Sequence, residues 1–494
     1  MSFPYLSAIV FLPVVGAIVI ALLPGANPRR IKLTAAAFTA VSFVLSLAVF
    51  FMFDRALAGP QFIEQASWIP AINVQYFMGV DGLSLLLLLL TTLIGFIAVL
   101  VSWKIDLRVR EYFAWILVLE TGILGVFCSL DLVLFFIFWE VELIPMYLLI
   151  SIWGSGRKEY SAIKFVLYTL AGSAMMLAGI LLLYSQAGTF DMIALAGMGL
   201  DSVLSSLMAT AIFFLILFAF AVKLPVFPFH TWLPDAHTDA PTAVSVILAG
   251  ILIKMGGYGM LRVCVSIFPE TAQNYAPLLI VLAVVGILYG AAVTLRQTDL
   301  KRLIAYSSIS HMGFVLLGIF ALSQVSMTGA TLQMVSHGLV TGLLFAMVGL
   351  VYDKTHERRI PMLGGLVRQM PVIAVVFSVA GLAALGLPST SGFAAEFLVF
   401  LGSFNSTVVP GIQVYTILAI LGVVFGAGYI LWMLKRVFYG PPKEQYDGVP
   451  DADRREKIYT FALVALIMLI GIYPAVLTDV IKTGVSPILA ALGL

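Results

Sequence analysis

Charge is scarce in this chain. Of its 494 residues only 11% are Asp, Glu, Lys or Arg, against 62% that are apolar or aromatic. A soluble globular protein carries about 25% charged and roughly 45 to 50% apolar residues, so the shortage excludes an ordinary water-facing enzyme. Neither sign dominates: 27 Lys and Arg against 25 Asp and Glu leave a formal net charge of +2. That balance excludes the basic face a nucleic-acid binder requires. Cysteine is almost missing, with Cys128 and Cys264 both set in apolar runs. Two such residues make no disulfide framework, no CxxC metal knuckle and no iron-sulfur ligand set, so neither a metal site nor a redox centre is expected here. A phosphate-binding P-loop is absent. Gly426-Ala427-Gly428 starts a dinucleotide-like pattern, but Leu431 stands where the third glycine belongs.

What is abundant is long apolar runs. Crossing a hydrocarbon core about 30 Å thick takes roughly 20 helical residues, and fourteen segments qualify: 4–23, 31–53, 81–103, 111–129, 131–153, 163–185, 206–229, 241–263, 276–295, 303–321, 328–351, 371–400, 411–436 and 458–479. The first has no preceding Lys or Arg and no small-residue cleavage site, so it reads as a retained span and not a signal peptide. The fold class expected is an all-α polytopic membrane protein; a β-barrel would need strict alternation. With the N-terminus outside, the loops that become cytoplasmic hold 22 of the Lys and Arg residues, and the outer loops hold only Arg55, Arg262 and Lys482. The asymmetry satisfies the positive-inside rule and puts both termini on the outer, periplasmic side of a bacterial inner membrane. Two lysines are left over, Lys223 and Lys254, both inside spans.

An ionisable side chain at a span centre costs about 2.5 to 3.5 kcal/mol on insertion scales and persists with a partner, a wet cavity or a function. Glu120, Glu140, Glu142, Lys223, Lys254, His311, His337 and Glu396 all lie within apolar segments. Glu120 reads equally well as a structural hydrogen-bond acceptor. Glu140 and Glu142 are about 200° apart on a regular helix, so one is expected to be axial and the other peripheral. For the two histidines, a neutral ring bonded to a backbone carbonyl competes with a functional role. Two spans are also broken. Pro225 and Pro228 follow Lys223 and release the carbonyls of Ala221 and Leu224. Pro388 lies in Gly386-Leu387-Pro388-Ser389-Thr390-Ser391-Gly392, with Glu396 one turn later. Irregular backbone at membrane depth is tolerated where protein or a wet cavity satisfies it. The breaks fall in the seventh and twelfth spans, an odd number apart, so these discontinuous helices run oppositely, as in inverted-topology repeats. The division expected is a three-helix addition at 1–110, inverted five-helix repeats at 111–263 and 276–436, and a cytoplasmic loop with a final span at 437–494. Gly286 with Gly290, and Gly338 with Gly342, are GxxxG pairs suited to close helix packing. Hydrocarbon disfavours charge on a buried Glu or Lys and an opposite charge restores it, so a series of such groups reads as a proton relay more readily than as a solute pocket.

At these residues the chain resembles the antiporter-like membrane subunits of proton-pumping NADH:quinone oxidoreductase, respiratory complex I, and within them the M-chain family. The stretches that carry the resemblance are Phe138-Trp139-Glu140, Ala221 to Pro225, His230-Thr231-Trp232-Leu233-Pro234-Asp235-Ala236-His237, Ala240-Pro241-Thr242-Ala243, Asp299 to Ser307, Ser310-His311-Met312-Gly313-Phe314 and Ser336-His337-Gly338. The resemblance spans nearly the whole length. It implies ion-path roles for Glu140, Lys223, Lys254, His311, His337 and Glu396, with Glu140 and Lys223 as the switching pair, and carries no role onto Glu142. At position 396 the related L and N chains and the sodium/proton antiporter subunits typically hold lysine, so Glu396 favours the M chain. The resemblance further implies no cofactor in this chain, with NADH, FMN, iron-sulfur clusters and quinone in partner subunits. The implied partners are L-type and N-type antiporter-like chains and the lipid bilayer. The alternatives are a sodium/proton antiporter subunit, a membrane-bound hydrogenase module, a haem- or quinone-binding membrane enzyme and a free-standing solute transporter.

Overall fold

The computed structural model describes residues 3–23 and 27–494. The N-terminal Met1 and Ser2, expected on the outer side, and residues 24–26 of the first expected loop lie outside it. Twelve helices among the described residues are long and apolar enough to cross a membrane, or thirteen if a bent C-terminal pair counts as one span. Fourteen was the expectation, and the differences are local. The expected twelfth span is two fourteen-residue helices, Pro371–Ala384 and Ser391–Phe404. Each rises about 21 Å, too short to cross alone. The last span, Arg454–Ile472, is followed at Ala475–Ala491 by a second helix bent away by 70°, with Pro474 at the corner.

The chain is not purely helical. Between the second and third spans, β1 (Gln61–Ile69) pairs antiparallel with β2 (Val74–Val80). Phe62, Ile63, Trp68 and Ile69 suit a strand, and Asn73 accepts the left-handed conformation of the turn at φ 56°. The hairpin reaches back to the first helix, Tyr5–Leu22, where the Glu64 carboxylate accepts from the Leu6 and Ser7 N–H groups at 2.7 and 3.0 Å. A carboxylate at a helix N-terminus satisfies donors that have no partner within the helix.

Burial sorts the helices into a core and a rim. Thr242–Val265 and Gln324–Thr355 are buried all round, Leu300–Phe320 nearly so, whereas Tyr5–Leu22, Pro28–Met52, Lys158–Ala187 and Ile412–Val437 expose much of their surface. Polar side chains concentrate in the core helices. Two caps orient them. Asp131 caps Leu132–Val141 and Asp299 caps Leu300–Phe320, both at φ −109° and ψ 132°. Beside the first, Leu132 N–H donates to Phe190 and Met192 N–H to Leu130. Beside the second, Leu300 N–H donates to Arg358 and Ile360 N–H to Thr298.

Glycine spacing is only partly a packing signal. A methyl at Gly338 would come within 2.6 Å of the Gly250 carbonyl, and one at Gly290 within 2.8 Å of Ser310 N, so both mark close crossings. Gly286 has open space beside it, and its expected packing role is corrected accordingly. Arg262, expected in an outer loop, lies instead inside the helical segment Met260–Val265. There it is buried and paired with Asp81, while its Nε donates to Tyr258 Oη at 3.2 Å.

Candidate functional site

The helix Ser206–Lys223 stops at Lys223 and helical structure resumes at Trp232–Asp239. Pro225 has no N–H to return to Ala221, and that carbonyl accepts from Val226 N–H at 2.9 Å. The neighbouring Val222 carbonyl accepts from the Trp232 indole at 2.9 Å. The break is therefore held open by specific donors, and it leaves Lys223 at a helix C-terminus, where the dipole favours a cation. Lys223 is fully buried and pairs with Glu142 Oε1. Its ammonium also lies over the rings of Trp139 at 5.2 Å and Phe165 at 5.6 Å.

The expected partner was Glu140. That carboxylate is half-buried, and its Oε1 is enclosed with no hydrogen-bond partner. Glu142 is a one-residue interruption between Leu132–Val141 and Leu143–Trp153 but keeps right-handed helical backbone angles, and Pro145 has no N–H for the Val141 carbonyl. One glutamate is thus axial and the other peripheral, as a 200° separation requires, with Glu142 the one turned to Lys223.

The second cluster is built around Lys254, which no solvent reaches. The helix Thr242–Val265 contains two wider π-helical stretches, Leu248–Leu252 and Met260–Val265, with Lys254 between them. Such turns loosen the carbonyl row, and the Ala249 carbonyl accepts from the Lys254 ammonium. Lys254 Nζ also stands 2.7 Å from His337 Nδ1. The His337 ring meets that of His311 edge to face, with centroids 5.4 Å apart. His311 Nε2 lies 3.0 Å from the Ala384 carbonyl, at the end of the helix Pro371–Ala384, and 4.0 Å from Glu396 Oε1. Around the last pair is a cavity of about 10 Å³ lined by His311, Gln333, Ser336, His337, Thr341 and Glu396. A void of that size is at the lower limit for one water molecule.

The second break holds Glu396 in place. Gly386 adopts φ 77°, and a methyl there would come within 2.8 Å of Glu396 Oε2. Gly392 approaches the Ala383 carbonyl so closely that any side chain would collide with it. Pro388 stands between the two glycines, and Leu387 N–H returns to Leu382 at 3.0 Å.

Lys254, His337, His311 and Glu396 thus form one series, while Lys223 and Glu142 form a separate pair. Among the described residues no hydrogen bond joins the two groups. Packing does bring their helices together, since Gly256 lies against the Phe220 carbonyl and Leu224 N–H.

His237 and Lys301 are among the buried groups that sequence reading missed. His237 is fully buried with both ring nitrogens unpartnered, stacks on Phe345 at 4.5 Å, and lies within electrostatic range of Lys301 and Lys254. It falls in the helix Trp232–Asp239, between the expected spans. Lys301 was counted among the loop charges, but it is buried and donates to the Ala240 carbonyl at 2.6 Å. Glu120 is buried with both carboxylate oxygens unpartnered, against Gly95.

Residues 129–422 match the family model described as NADH:quinone oxidoreductase/Mrp antiporter, TM. Subunit M of the NADH-quinone oxidoreductase of Rhodobacter capsulatus is 43% identical, over 97% of this chain and 95% of its own length. A chain of respiratory complex I from Thermus thermophilus with bound NADH superposes with a TM-score of 0.88 at 30% identity, covering 99% of this chain and 100% of that one. A chain of the Mrp complex from Dietzia sp. DQ12-45-1b superposes at 0.87 with 22% identity over the full length of both, a likeness of fold. The chain therefore belongs to the NADH:quinone oxidoreductase/Mrp antiporter family of membrane proteins.

Proposed function

We propose that this chain is the M-type, proton-translocating membrane subunit of an NADH:quinone oxidoreductase of the complex I kind, moving protons outward while quinone is reduced in partner subunits. The observation that carries the reading is the continuous buried series from Lys254 through His337 and His311 to Glu396. Ionisable groups at such depth are costly unless they carry a function. In this reading Glu140 and Lys223 are the switching pair, and Glu142 is the carboxylate that meets Lys223 in the structure. Lys254 is the central carrier, His337 and His311 connect it onward, and Glu396 is the exit-side group. Pro225, Pro228 and Pro388 maintain the breaks that let side chains reach between helices.

We further infer the inverted five-helix repeats and two discontinuous spans. The paired caps support this: each of the residues bonded beside Asp299 lies 168 positions after its counterpart beside Asp131. With both termini in the periplasm, those two caps fall on opposite sides of the membrane, as inversion requires. Flavin, iron-sulfur clusters, NADH and quinone belong to partner subunits in this reading, and L-type and N-type chains are the expected membrane neighbours. Among the described residues no group of three or more His, Cys, Asp or Glu side chains converges as a metal site would need.

The test is Lys223→Ala in the assembled complex, measured as NADH-driven proton uptake by inverted membrane vesicles. Loss of uptake with normal subunit content is expected, and wild-type uptake would sink the reading. The second reading is a sodium/proton antiporter subunit, since the family description names the Mrp antiporter alongside NADH:quinone oxidoreductase. Purification with flavin- and iron-sulfur-bearing partners decides against it.

A further inference from the structure

Pro388 does more than interrupt a helix. In a regular helix the Ala384 carbonyl accepts from the N–H four residues on; that residue is Pro388, which has no N–H. A buried carbonyl costs free energy unless something donates to it. Here the donor comes from another helix, because His311 Nε2 lies 3.0 Å from the Ala384 oxygen. A carbonyl only accepts, so Nε2 carries the hydrogen. In a neutral ring the other nitrogen is then bare, and His311 Nδ1 is enclosed with no hydrogen-bond partner. The same Nε2 has a second acceptor close by, Glu396 Oε1 at 4.0 Å. Ala384, His311, His337 and Glu396 line one small cavity, so the two acceptors and both rings share a single enclosed space.

We propose that Pro388, by freeing the Ala384 carbonyl, is a positioning residue for His311: the carbonyl fixes the neutral ring in its Nε2–H form, so that a proton enters at Nδ1 and leaves from Nε2 to Glu396. This rests on the reading of His311 as part of the proton path. A proton arriving from the Lys254 and His337 side forms an N–H bond at Nδ1, the Nε2–H bond breaks, and an O–H bond forms on the Glu396 carboxylate. The imidazolium formed midway stands at the C-terminus of the helix Pro371–Ala384, where the dipole favours a cation. After transfer the ring keeps its hydrogen on Nδ1, and the Ala384 carbonyl faces a bare nitrogen, which costs it its hydrogen bond. Return of the ring to the Nε2–H form restores that bond. The carbonyl thus biases the ring toward taking each proton at the same nitrogen.

The test uses the assembled complex in inverted vesicles, with subunit content measured alongside NADH-driven proton uptake. Pro388→Ala supplies an N–H that competes with His311 for the Ala384 carbonyl, and it is expected to lower uptake at least threefold at wild-type subunit content. The direct readout is nitrogen-15 solid-state NMR of the complex labelled on histidine, the His311 signals being those lost in His311→Gln. A protonated Nε2 and a bare Nδ1 are expected in the resting wild type, and a mixture of the two tautomers in Pro388→Ala, a change that a purely structural role of the proline does not predict. A wild-type His311 carrying hydrogen on Nδ1 overturns the proposal, and that measurement serves even if Pro388→Ala does not assemble. Wild-type uptake by Pro388→Ala overturns it as well. His311→Gln keeps an N–H for the carbonyl but relays no proton, and it is expected to lower uptake at least tenfold. Wild-type uptake by His311→Gln removes the proton-path reading of His311 instead, whatever tautomer the ring shows.

Discussion

Lys254 Nζ lies 2.7 Å from His337 Nδ1, on two helices that are buried over their whole apolar length. A lysine and a histidine in direct contact share one proton position between them, since one must donate where the other accepts. The remaining ring nitrogen of His337, Nε2, has no hydrogen-bond partner. That ring also meets His311 edge to face. The geometry gives the histidine two sides, one on the lysine and one on the path toward Glu396.

His337→Phe fills the same space without either nitrogen. It is expected to lower NADH-driven proton uptake at least tenfold while subunit content stays at the wild-type level. Uptake above half of the wild-type rate would mean that protons bypass this ring.

Glu396 faces His311 at 4.0 Å. Glu396→Gln is expected to lose most coupled uptake, because an amide neither takes up nor releases a proton near neutrality. Glu396→Lys, the residue typical of L and N chains, is expected to recover part of it. Full recovery, read as the uptake to quinone-reduction ratio, would show that ionisability matters at this position more than sign.

The Asp81 and Arg262 pair is buried and distant in sequence. Removing one member leaves the other unpaired, which costs about 3 to 5 kcal/mol. Asp81→Asn and Arg262→Met are each expected to reduce the amount of assembled complex and its melting temperature. The double variant, with neither charge, is expected to be closer to wild type than Asp81→Asn. Equal loss in all three would argue that packing, not charge pairing, holds this corner.

Gly338→Ala and Gly286→Ala separate the two GxxxG patterns. At 338 the added methyl meets the Gly250 carbonyl and the Leu90 side chain, so a loss of about 1 to 3 kcal/mol is expected from overpacking. At 286 it meets nothing within 4 Å, and the change is expected to stay within about 0.5 kcal/mol. Thermal denaturation of the purified complex distinguishes them, and equal shifts would contradict the crossing geometry.

Much of the architecture was already legible in the chain. Apolar runs of span length, the uneven placement of Lys and Arg, and prolines beside Lys223 and before Glu396 are one-dimensional signals, because hydrocarbon thickness and backbone valence act on short stretches of sequence. They indicated the helices, the breaks and the ionisable residues inside the apolar runs. The strands at Gln61–Ile69 and Val74–Val80 were overlooked because the segment lies between spans and has no strict alternation.

What the linear pattern did not contain was partnership. Lys223 meets Glu142 and not Glu140: a helix projection puts the two carboxylates on opposite sides, but which side faces Lys223 is set by how neighbouring helices pack against this one. Arg262 and Lys301 were charges to be counted until helices from elsewhere in the chain enclosed them against Asp81 and the Ala240 carbonyl. The sequence by itself determined that charge would be rare and that the few buried charges would need partners. Tertiary structure alone decided which distant partners they have, because the contacts of Lys223 with Glu142, Lys254 with His337, Arg262 with Asp81 and Lys301 with Ala240 join residues dozens to hundreds of positions apart and depend on how the helices pack against one another.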